Sequence, residues 1–410
     1  MARAHGALPL GPHREAGLRA GLSLREGPRR RRLPAPVVPR ALGREARRSH
    51  RPPRRLGAAP RRRLAAAAPG RSRPPGVSPP LNALLSELPI LVLFPHARCN
   101  CRCVMCDIWK ERESRQLTRS DVESLLPALL AKGTRQIVLS GGEPLMHQDL
   151  FALVAPLKDA GLAITLLSSG LLLEKHAAAI TAGVSDVIVS LDGPRELHDA
   201  IRRVPRAFDR MHAGIRALHA LRPGFPVAGR CTGQRQNAHR LRETARAAKE
   251  LGLESLSFLA ADVSSEAFNR PGGWDEERTS EVALTPEEVD ALAAEIDALE
   301  RDCAADVASG FLAESPEKLR RRVLAPFRAG LGLEEPVAPR CNAPWVSAVV
   351  EADGTVRPCF FQPAYGNLRD GGFDSVVNGA AGLSFRETLE VASNPICKRC
   401  VCSLYLEAAP

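Results

Sequence analysis

Four of the eleven cysteines lie within one short string, Cys99-Asn-Cys-Arg-Cys-Val-Met-Cys106. Cys99, Cys103 and Cys106 are separated by three and then two residues, so one loop can wrap three thiolates around a face of a 4Fe-4S cube. Three ligands leave one of the four irons open to bind a further molecule. A structural zinc site needs four ligands, and Cys101 could supply the fourth. The spacing alone leaves both metals open, and we interpret Cys101 as a bystander thiol.

Five more cysteines form a second group between residues 341 and 402. Cys341 and Cys359 stand apart, and Cys397-Lys-Arg-Cys400 supplies a close pair. A hairpin that brings Cys341 near Cys359, joined by the later pair, would give four soft ligands from three segments. Such a set could hold zinc or a fully ligated iron–sulfur cluster. Cys402 could replace one ligand or be spare.

Short apolar runs alternate with helix-like segments from about residue 85 onwards. The strand candidates are Pro89–Phe94, Gln136–Leu139, Ala163–Leu167, Asp186–Leu191, Val227–Cys231 and Ser255–Leu259. The helix candidates are Ser120–Lys132, Leu150–Ala160, Glu174–Ala182, Phe208–Leu221 and Ala238–Leu251. Four glycines that serve as helix stop signals follow the helices, at Gly133, Gly161, Gly183 and Gly252. Because the strands are apolar throughout, they fit a parallel sheet covered on both faces, and the repeated units predict an α/β fold, a partial (β/α)6 TIM-like barrel.

The residues that could do chemistry follow the first two of these strands. The cysteine loop follows the first, and Ser140-Gly-Gly-Glu-Pro144 follows the second. In parallel α/β folds, active sites lie at the carboxyl ends of the strands. Two glycines let backbone carbonyls approach a ligand ammonium closely, and Glu143 adds a negative charge. A plain turn is the alternative for this string, and its place at a strand end favours a binding role.

Taken together, the cysteine loop, Asp107-Ile-Trp109 and the Gly-Gly-Glu-Pro string resemble the radical SAM superfamily over most of residues 88–260. The resemblance implies that Cys99, Cys103 and Cys106 bind a 4Fe-4S cluster that cleaves S-adenosylmethionine (SAM). It also implies that the methionyl amino group is received by Gly141, Gly142, Glu143 and Pro144.

Further strings resemble the fourth-strand region of that superfamily, namely Ser190-Leu-Asp-Gly193 and His198-Asp-Ala-Ile-Arg202. The resemblance implies that Ser190 contacts the ribose or carboxylate of SAM and that Arg202 pairs with the methionyl carboxylate. Ser168-Ser-Gly170 stands where relatives often have Thr-Asn-Gly. Arg230 and Asn237 are further candidates.

The second cysteine group, with Gly354-Thr-Val-Arg-Pro-Cys359, resembles the short form of the SPASM/twitch domain. The resemblance implies one auxiliary 4Fe-4S cluster, handling electrons, on Cys341, Cys359, Cys397 and Cys400. A hairpin is predicted from Ser347–Glu351 and Thr355–Pro358, around Asp353-Gly354. The predicted domains are a disordered extension (1–80), the barrel (85–270), a helical connector (271–338) in which Thr285 and Ser315 begin helices, and a small Cys-rich α+β domain (339–406).

The net charge of +11 arises from one part of the chain. Residues 1–80 contain 20 arginines and three glutamates, a net of +17, so the other 330 residues carry −6. This segment has no hydrophobic periodicity, and we predict that it is disordered. It could be an upstream extension of little function, an organelle transit peptide or a nucleic-acid-binding arm, and the absence of interleaved aromatic residues argues against the last.

The sequence therefore predicts a radical SAM enzyme that abstracts hydrogen from a peptide or from a small alcohol or sugar. Its expected partners are that substrate and an external electron donor such as flavodoxin or ferredoxin. No secretory signal and no apolar run of about 20 residues is present, so we expect a cytoplasmic enzyme without a membrane segment. The alternative is a non-catalytic zinc protein with a basic nucleic-acid-binding arm. No catalytic acid or base stands out.

Overall fold

The computed structural model describes residues 83–407. The predicted disordered extension at residues 1–80 lies outside this range. The described residues contain one nine-stranded sheet. Its strands are β1 (Ile90–Leu93), β2 (Gln136–Leu139), β3 (Ala163–Ser168), β4 (Asp186–Ser190), β5 (Val227–Gly233), β6 (Leu256–Ala260), β7 (Ser347–Val350), β8 (Thr355–Arg357) and β9 (Gly366–Asn367).

The strands from β1 to β6 lie side by side in chain order, and every pair among them is parallel. At least one helix separates each strand from the next, which gives the predicted succession of β/α units. The helices of this part are α1 (Arg119–Ala131), α2 (Leu150–Asp159), α3 (Leu173–Gly183), α4 (Arg195–Arg202), α5 (Ala207–Leu221) and α6 (Leu241–Glu250). The α/β fold with a partial parallel barrel is thereby confirmed.

The helix ends show how local sequence sets these elements. Thr118 and Asp121 form a capping box at the start of α1. Gly133, Gly161 and Gly252 have positive φ angles just after their helices, as expected of C-terminal stop residues. The prediction for Gly183 was wrong, because this glycine is the last residue of α3 and the helix ends instead on extended Val184.

The hairpin of the C-terminal region belongs to the same sheet as the barrel. β7 pairs in parallel with β1, so that Ile90 lies opposite Ser347, and β8 then pairs antiparallel with β7. The helices of this region are α12 (Ala343–Val346), α13 (Phe373–Val377), α14 (Ala380–Thr388) and α15 (Pro395–Lys398). The helices numbered α7 to α11 precede them in the chain and form the connector between the two parts. The small Cys-rich part therefore extends the barrel sheet rather than forming a sheet of its own.

A helical segment joins the two parts, as the sequence predicts. Its helices are α7 (Glu276–Ser280), α8 (Pro286–Asp302), α9 (Ala304–Ser309), α10 (Pro316–Leu319) and α11 (Ala325–Gly330), with a π-helical turn at Arg320–Leu324. Thr285 and Ser315 cap α8 and α10 through their side chains. Among residues 83–407, no helix is both long and apolar enough to cross a membrane.

Candidate active site

The cysteine loop follows β1 directly, at the carboxyl end of the first barrel strand. Cys101 and Cys103 are buried, whereas Cys99 and Cys106 are half-buried. A hydrogen bond from Cys101 and the nearby Arg202 guanidinium lower the pKa of Cys103 to about 6, although burial opposes them. Burial raises the pKa of Cys106 to about 12. Cys101 therefore lies in the same loop as the three predicted ligands and forms a hydrogen bond with Cys103. The cysteine spacing alone led us to interpret it as a bystander thiol.

The end of α4 holds the cysteine loop from one side. The amide of Arg102 donates to the carbonyl of Arg202 at 3.1 Å, and the amide of Val104 donates to the carbonyl of Ile201 at 3.0 Å. The last carbonyls of a helix lack partners within that helix, so these two bonds satisfy both elements at once. Cys103 lies between the two bonded amides and is held in place by them.

Gly141 and Gly142 form a cradle against the residues that lead into the cysteine loop. A Cβ atom at Gly142 would lie 2.1 Å from the carbonyl oxygen of Arg98, and one at Gly141 would lie 2.6 Å from Cγ of Phe94. The amide of Glu143 donates to the carbonyl of Arg98 at 2.9 Å. Only glycines allow this approach, so the Gly-Gly-Glu-Pro string lies directly beside Cys99.

Glu143 is fully buried and carries an organised set of donors. It accepts hydrogen bonds from Ser168 Oγ at 3.0 Å, Ser169 Oγ at 2.6 Å, the amide of Ser169 at 2.7 Å and the amide of Leu145 at 3.2 Å. Burial raises the pKa of Glu143, and these donors oppose that rise. Ser168 and Ser169 thus orient this carboxylate, a role that the sequence did not reveal. Pro144 begins the 3₁₀ turn that follows.

Arg202 lies at the end of α4 and reaches the cysteine loop with its side chain. Its guanidinium pairs with the fully buried Asp192 at 2.5 Å and donates to Cys103 Sγ at 3.4 Å. Ser190, at the carboxyl end of β4, is half-buried on the same side of the sheet as Arg230. Asn237 is buried and donates to the carbonyl of Asp192 at 2.9 Å. The fold thus brings Arg202 to the cysteines and gives Asn237 a structural role.

The second cysteine group comes from three segments of the chain. Cys341 precedes α12, Cys359 follows β8, and Cys397 and Cys400 lie in and just after α15. Asn342 ties the first segment to the last, because its side chain donates to the carbonyl of Leu406 at 2.7 Å. Burial raises the pKa of Cys359 to about 11, and the nearby Cys341 and Cys397 add to the rise. The four thiols are therefore close enough to interact electrostatically.

Gln362 lies beside this group and was not singled out in the sequence. Its amide nitrogen donates to Cys397 Sγ at 3.3 Å and to Asn394 Oδ1 at 3.2 Å. Asn394 in turn caps α15 by accepting from the amide of Cys397 at 3.0 Å. Gln362 is only 3% exposed, so solvent cannot satisfy its amide hydrogens. Both hydrogens have protein partners instead.

A cavity of about 780 Å³ is lined both by the glycine cradle and by the second cysteine group. Gly141 and Gly142 contribute from the cradle, and Cys400 contributes from the second group. Four phenylalanines contribute to its wall, in an edge-to-face pair of Phe268 and Phe361 and a stacked pair of Phe94 and Phe360. Pockets of roughly 300–1,000 Å³ suit small molecules or single side-chain segments.

The donor sets fit the cofactors that the sequence predicts. Three cysteines beside a glycine cradle and a buried carboxylate suit a cluster with one open iron and an ammonium-bearing ligand. Four cysteines from three segments suit a fully ligated cluster. Within residues 83–407, no three His, Cys, Asp or Glu side chains are grouped closely enough to hold a single metal ion.

Comparisons with known families match both regions. The Radical SAM superfamily matches residues 93–258, and an iron–sulfur cluster-binding domain, SPASM, matches residues 341–401. The chain therefore contains a radical SAM domain followed by a SPASM domain. Such domains imply a SAM-binding 4Fe-4S cluster, SAM itself and auxiliary iron–sulfur ligation.

Curated relatives share part of the chain. An AdoMet-dependent heme synthase of Methanosarcina barkeri is 35% identical over 164 residues, which are 38% of this chain and 46% of that protein. An Fe-coproporphyrin III synthase of the same organism is 36% identical over 157 residues, 36% of this chain and 38% of that protein. The chain thus spans less than half the length of these relatives.

Solved structures share the fold. Streptococcus suis SuiB bound to S-adenosylmethionine aligns with a TM-score of 0.56 at 15% identity, over 79% of this chain and 74% of that one. SuiB bound to its precursor peptide SuiA aligns with a TM-score of 0.53 at 14% identity, over 79% and 73% of the two chains. At this identity, the likeness concerns the fold alone.

Proposed function

We propose that this protein reductively cleaves SAM and abstracts hydrogen from a substrate bound in the cavity between its two cysteine groups. The observation that carries the proposal is the position of the cysteine loop beside the Gly141–Gly142 cradle, which lines the same cavity as Cys400 of the second group. When bound, the cluster supplies an electron to SAM and so yields a 5′-deoxyadenosyl radical.

Within this proposal the chain's own residues orient the reactants. Cys99, Cys103 and Cys106 would hold the SAM-binding cluster. Glu143 keeps a carboxylate oriented by four donors, and it would attract the methionyl ammonium together with the backbone of Gly141.

Two more residues are assigned to SAM. Ser190, at the end of β4, would contact the ribose or carboxylate. Arg202 would bind the methionyl carboxylate with donors not used by Asp192 and Cys103, since its Nε atom has no hydrogen-bond partner among the described residues. A planar guanidinium can serve these partners together, as an ammonium cannot.

The second cysteine group would hold one auxiliary cluster through Cys341, Cys359, Cys397 and Cys400. This cluster would accept an electron from the substrate radical during a net oxidation, and an external flavodoxin or ferredoxin would supply reducing electrons. We assign residues 85–270 to the barrel, 271–338 to the connector and 339–406 to the auxiliary domain. The fit of each cysteine group to its own segment of the fold supports this division.

We propose a peptide rather than a small alcohol or sugar as the substrate. The wall carries four phenylalanines, and exposed Ile396 lies at the rim. Charged and amide side chains share this wall, as in the Arg357–Glu351 pair at 2.9 Å, so the wall offers both the apolar and the hydrogen-bonding groups that the side chains and backbone of a peptide require. The peptide complex of SuiB shows that this fold can hold a peptide.

The cofactor assignment is tested by anaerobic reconstitution with iron and sulfide, followed by SAM and a strong reductant. We expect 5′-deoxyadenosine, and we expect Cys103→Ala to abolish it. Cys303→Ala is the matched control, because Cys303 lies on the connector, at the end of α8. Stoichiometric zinc without sulfide would favour the alternative, a non-catalytic zinc protein.

The substrate assignment is tested by deuterium transfer into 5′-deoxyadenosine. The probes are a peptide library with deuterated apolar side chains, a deuterated aminosugar and a deuterated iron coproporphyrin. We expect transfer from the peptides. Transfer from the aminosugar or the porphyrin alone would overturn the peptide proposal without affecting the cofactor assignment.

A further inference from the structure

The segment that follows β6 packs against the cysteine loop, which α4 also contacts. Arg270 lies at its centre and is 3% exposed. One terminal nitrogen donates to the carbonyl oxygen of Met105 at 2.7 Å, between Cys103 and Cys106. The other donates to the Asp262 carboxylate at 3.1 Å and to the carbonyl of Asp262 at 2.7 Å. A buried guanidinium thus links the loop to the end of the last barrel strand.

Other contacts reinforce this link. The Arg270 guanidinium stacks 3.7 Å from the centre of the Trp274 ring. Trp274 donates its indole N–H to Asp107 at 2.7 Å, and Arg278 donates to the carbonyl of Val104. The carbonyls of Val104 and Met105 are therefore held by arginines, whereas the amide of Val104 is held by α4. The cysteine loop is therefore hydrogen-bonded both to α4 and to the segment after β6.

The same segment forms part of the cavity wall. Phe268 and Asn269 both have left-handed backbone conformations, with φ of +61° and +63°, and two such non-glycine residues in succession are uncommon. Strained backbone of this kind is concentrated at ligand-binding segments. Phe268 meets Phe361 across a 6.0 Å edge-to-face contact. Arg270 therefore joins the substrate wall to the cysteine loop within three residues.

We propose that Arg270 is a positioning residue that fixes the Cys103–Cys106 stretch in the geometry required for the SAM-binding cluster. The inference rests on the proposed function, and it assigns a role to a residue in the segment after β6. A carbonyl held by a buried, paired guanidinium has little freedom to move, so the two flanking thiols keep their separation and direction. Without this bond the stretch can rotate while the rest of the barrel stays intact.

Lysine cannot replace this arginine. The side chain must reach the Met105 carbonyl and Asp262 together while stacking flat on Trp274, and a single ammonium cannot satisfy all three. Arg270→Lys keeps the charge beside Asp262 but gives up the bridge. Arg386→Lys is the matched control, because Arg386 is 2% exposed and its hydrogen bonds lie outside the cysteine loop.

The test uses the reconstituted full chain of the wild type, Arg270→Lys and Arg386→Lys. Iron and sulfide content, the EPR spectrum of the reduced protein with and without SAM, and SAM affinity are measured. For Arg270→Lys we expect a changed spectrum of the SAM-responsive cluster and about tenfold weaker SAM binding, the lower end of the effect of losing a residue that orients metal ligands. The SAM-independent part of the spectrum should match the wild type, and Arg386→Lys should preserve both signals.

A wild-type SAM response and SAM affinity in Arg270→Lys would overturn the inference. If the wild-type protein itself shows no SAM-responsive cluster, the proposed function fails instead, so the two failures are distinguishable. Should circular dichroism show that Arg270→Lys is unfolded, Asp262→Asn decides, because it is nearly isosteric and removes the carboxylate charge that pairs with the Arg270 guanidinium. A smaller change in the same spectrum is then expected, and an unchanged spectrum would refute the inference.

Discussion

Substitution of Gly142 by alanine tests the contact that brings the SAM cradle to the cysteine loop. The new Cβ would lie 2.1 Å from the Arg98 carbonyl oxygen, 2.7 Å from its carbonyl carbon and 3.0 Å from the Ala97 carbonyl oxygen. All three atoms belong to the backbone, so no side-chain rotation can relieve the overlap. Gly142 has no left-handed φ, and the effect is therefore one of space alone.

The size of the effect follows from these distances. Restoring an ordinary contact of 3.4 Å requires the backbone at Gly142 and the backbone at Arg98, immediately before Cys99, to separate by about 1.3 Å. The bond from the Glu143 amide to the Arg98 carbonyl, now 2.9 Å, would lengthen with that shift. Misplacement by about 1 Å can lower a rate about 100-fold, whereas overpacking costs about 1–3 kcal/mol of folding free energy.

We therefore expect Gly142→Ala to remain folded and to form 5′-deoxyadenosine about 100-fold more slowly than the wild type. Gly330→Ala is the matched control, because a Cβ there meets no atom within 4 Å. The assay is 5′-deoxyadenosine production by chromatography, with iron content and the thermal midpoint measured on the same samples. A wild-type rate in Gly142→Ala would refute the proposed closeness of cradle and cysteine loop.

Three further predictions follow from the site. Cys101→Ser should retain the iron content of the SAM-binding cluster, whereas Cys103→Ala should lose it, as iron analysis will show. Gln362→Leu should lower the midpoint potential of the auxiliary cluster, because the lost bond to Cys397 Sγ stabilises the reduced, more negative state; EPR-monitored titration measures this. Burial raises the pKa of Glu143, so the carboxylate is protonated on acidification earlier than an exposed one, and calorimetry should find that SAM affinity falls as pH decreases.

Each of these predictions has a result that contradicts it. Loss of cluster iron in Cys101→Ser would make this thiol a ligand. A midpoint potential unchanged in Gln362→Leu would mean that Cys397 does not ligate the cluster or that its hydrogen bond has no electronic effect. For Glu143, the control is Glu143→Gln, which should bind SAM weakly at every pH; an equally steep pH dependence in this variant would assign the titration to another group.

Local patterns were sufficient to predict the barrel. β2 has the predicted bounds, and the other barrel strands differ from prediction by one or two residues at an end, because short apolar runs between turn residues have few alternatives. The capping box at Thr285 was also predictable, since its two partners are three residues apart. Gly183 was misjudged because a glycine can end a helix without taking a left-handed conformation.

Contacts between distant segments could not be predicted in the same way. No local pattern states that β7 pairs with β1, because the pairing joins strands more than 250 residues apart and depends on the whole barrel. The serines that orient Glu143 lie on the next strand, and Arg270 lies in a segment without helical or strand periodicity. Cysteine spacing predicted the candidate ligands, whereas the residues that would orient them act through tertiary contacts.

The pairing of β1 with β7 also explains how two cysteine groups can serve one cavity. The cysteine loop leaves the sheet at β1, and the hairpin that leads to Cys359 begins at the adjacent β7. The hydrogen-bonded pairing of β1 with β7 fixes where the two segments leave the sheet, whereas the cysteines themselves lie on the loops that follow. The stacked pair of Phe94, after β1, and Phe360, after Cys359, fills the space between them. A substrate in this cavity would therefore lie between segments that leave two neighbouring strands of one sheet.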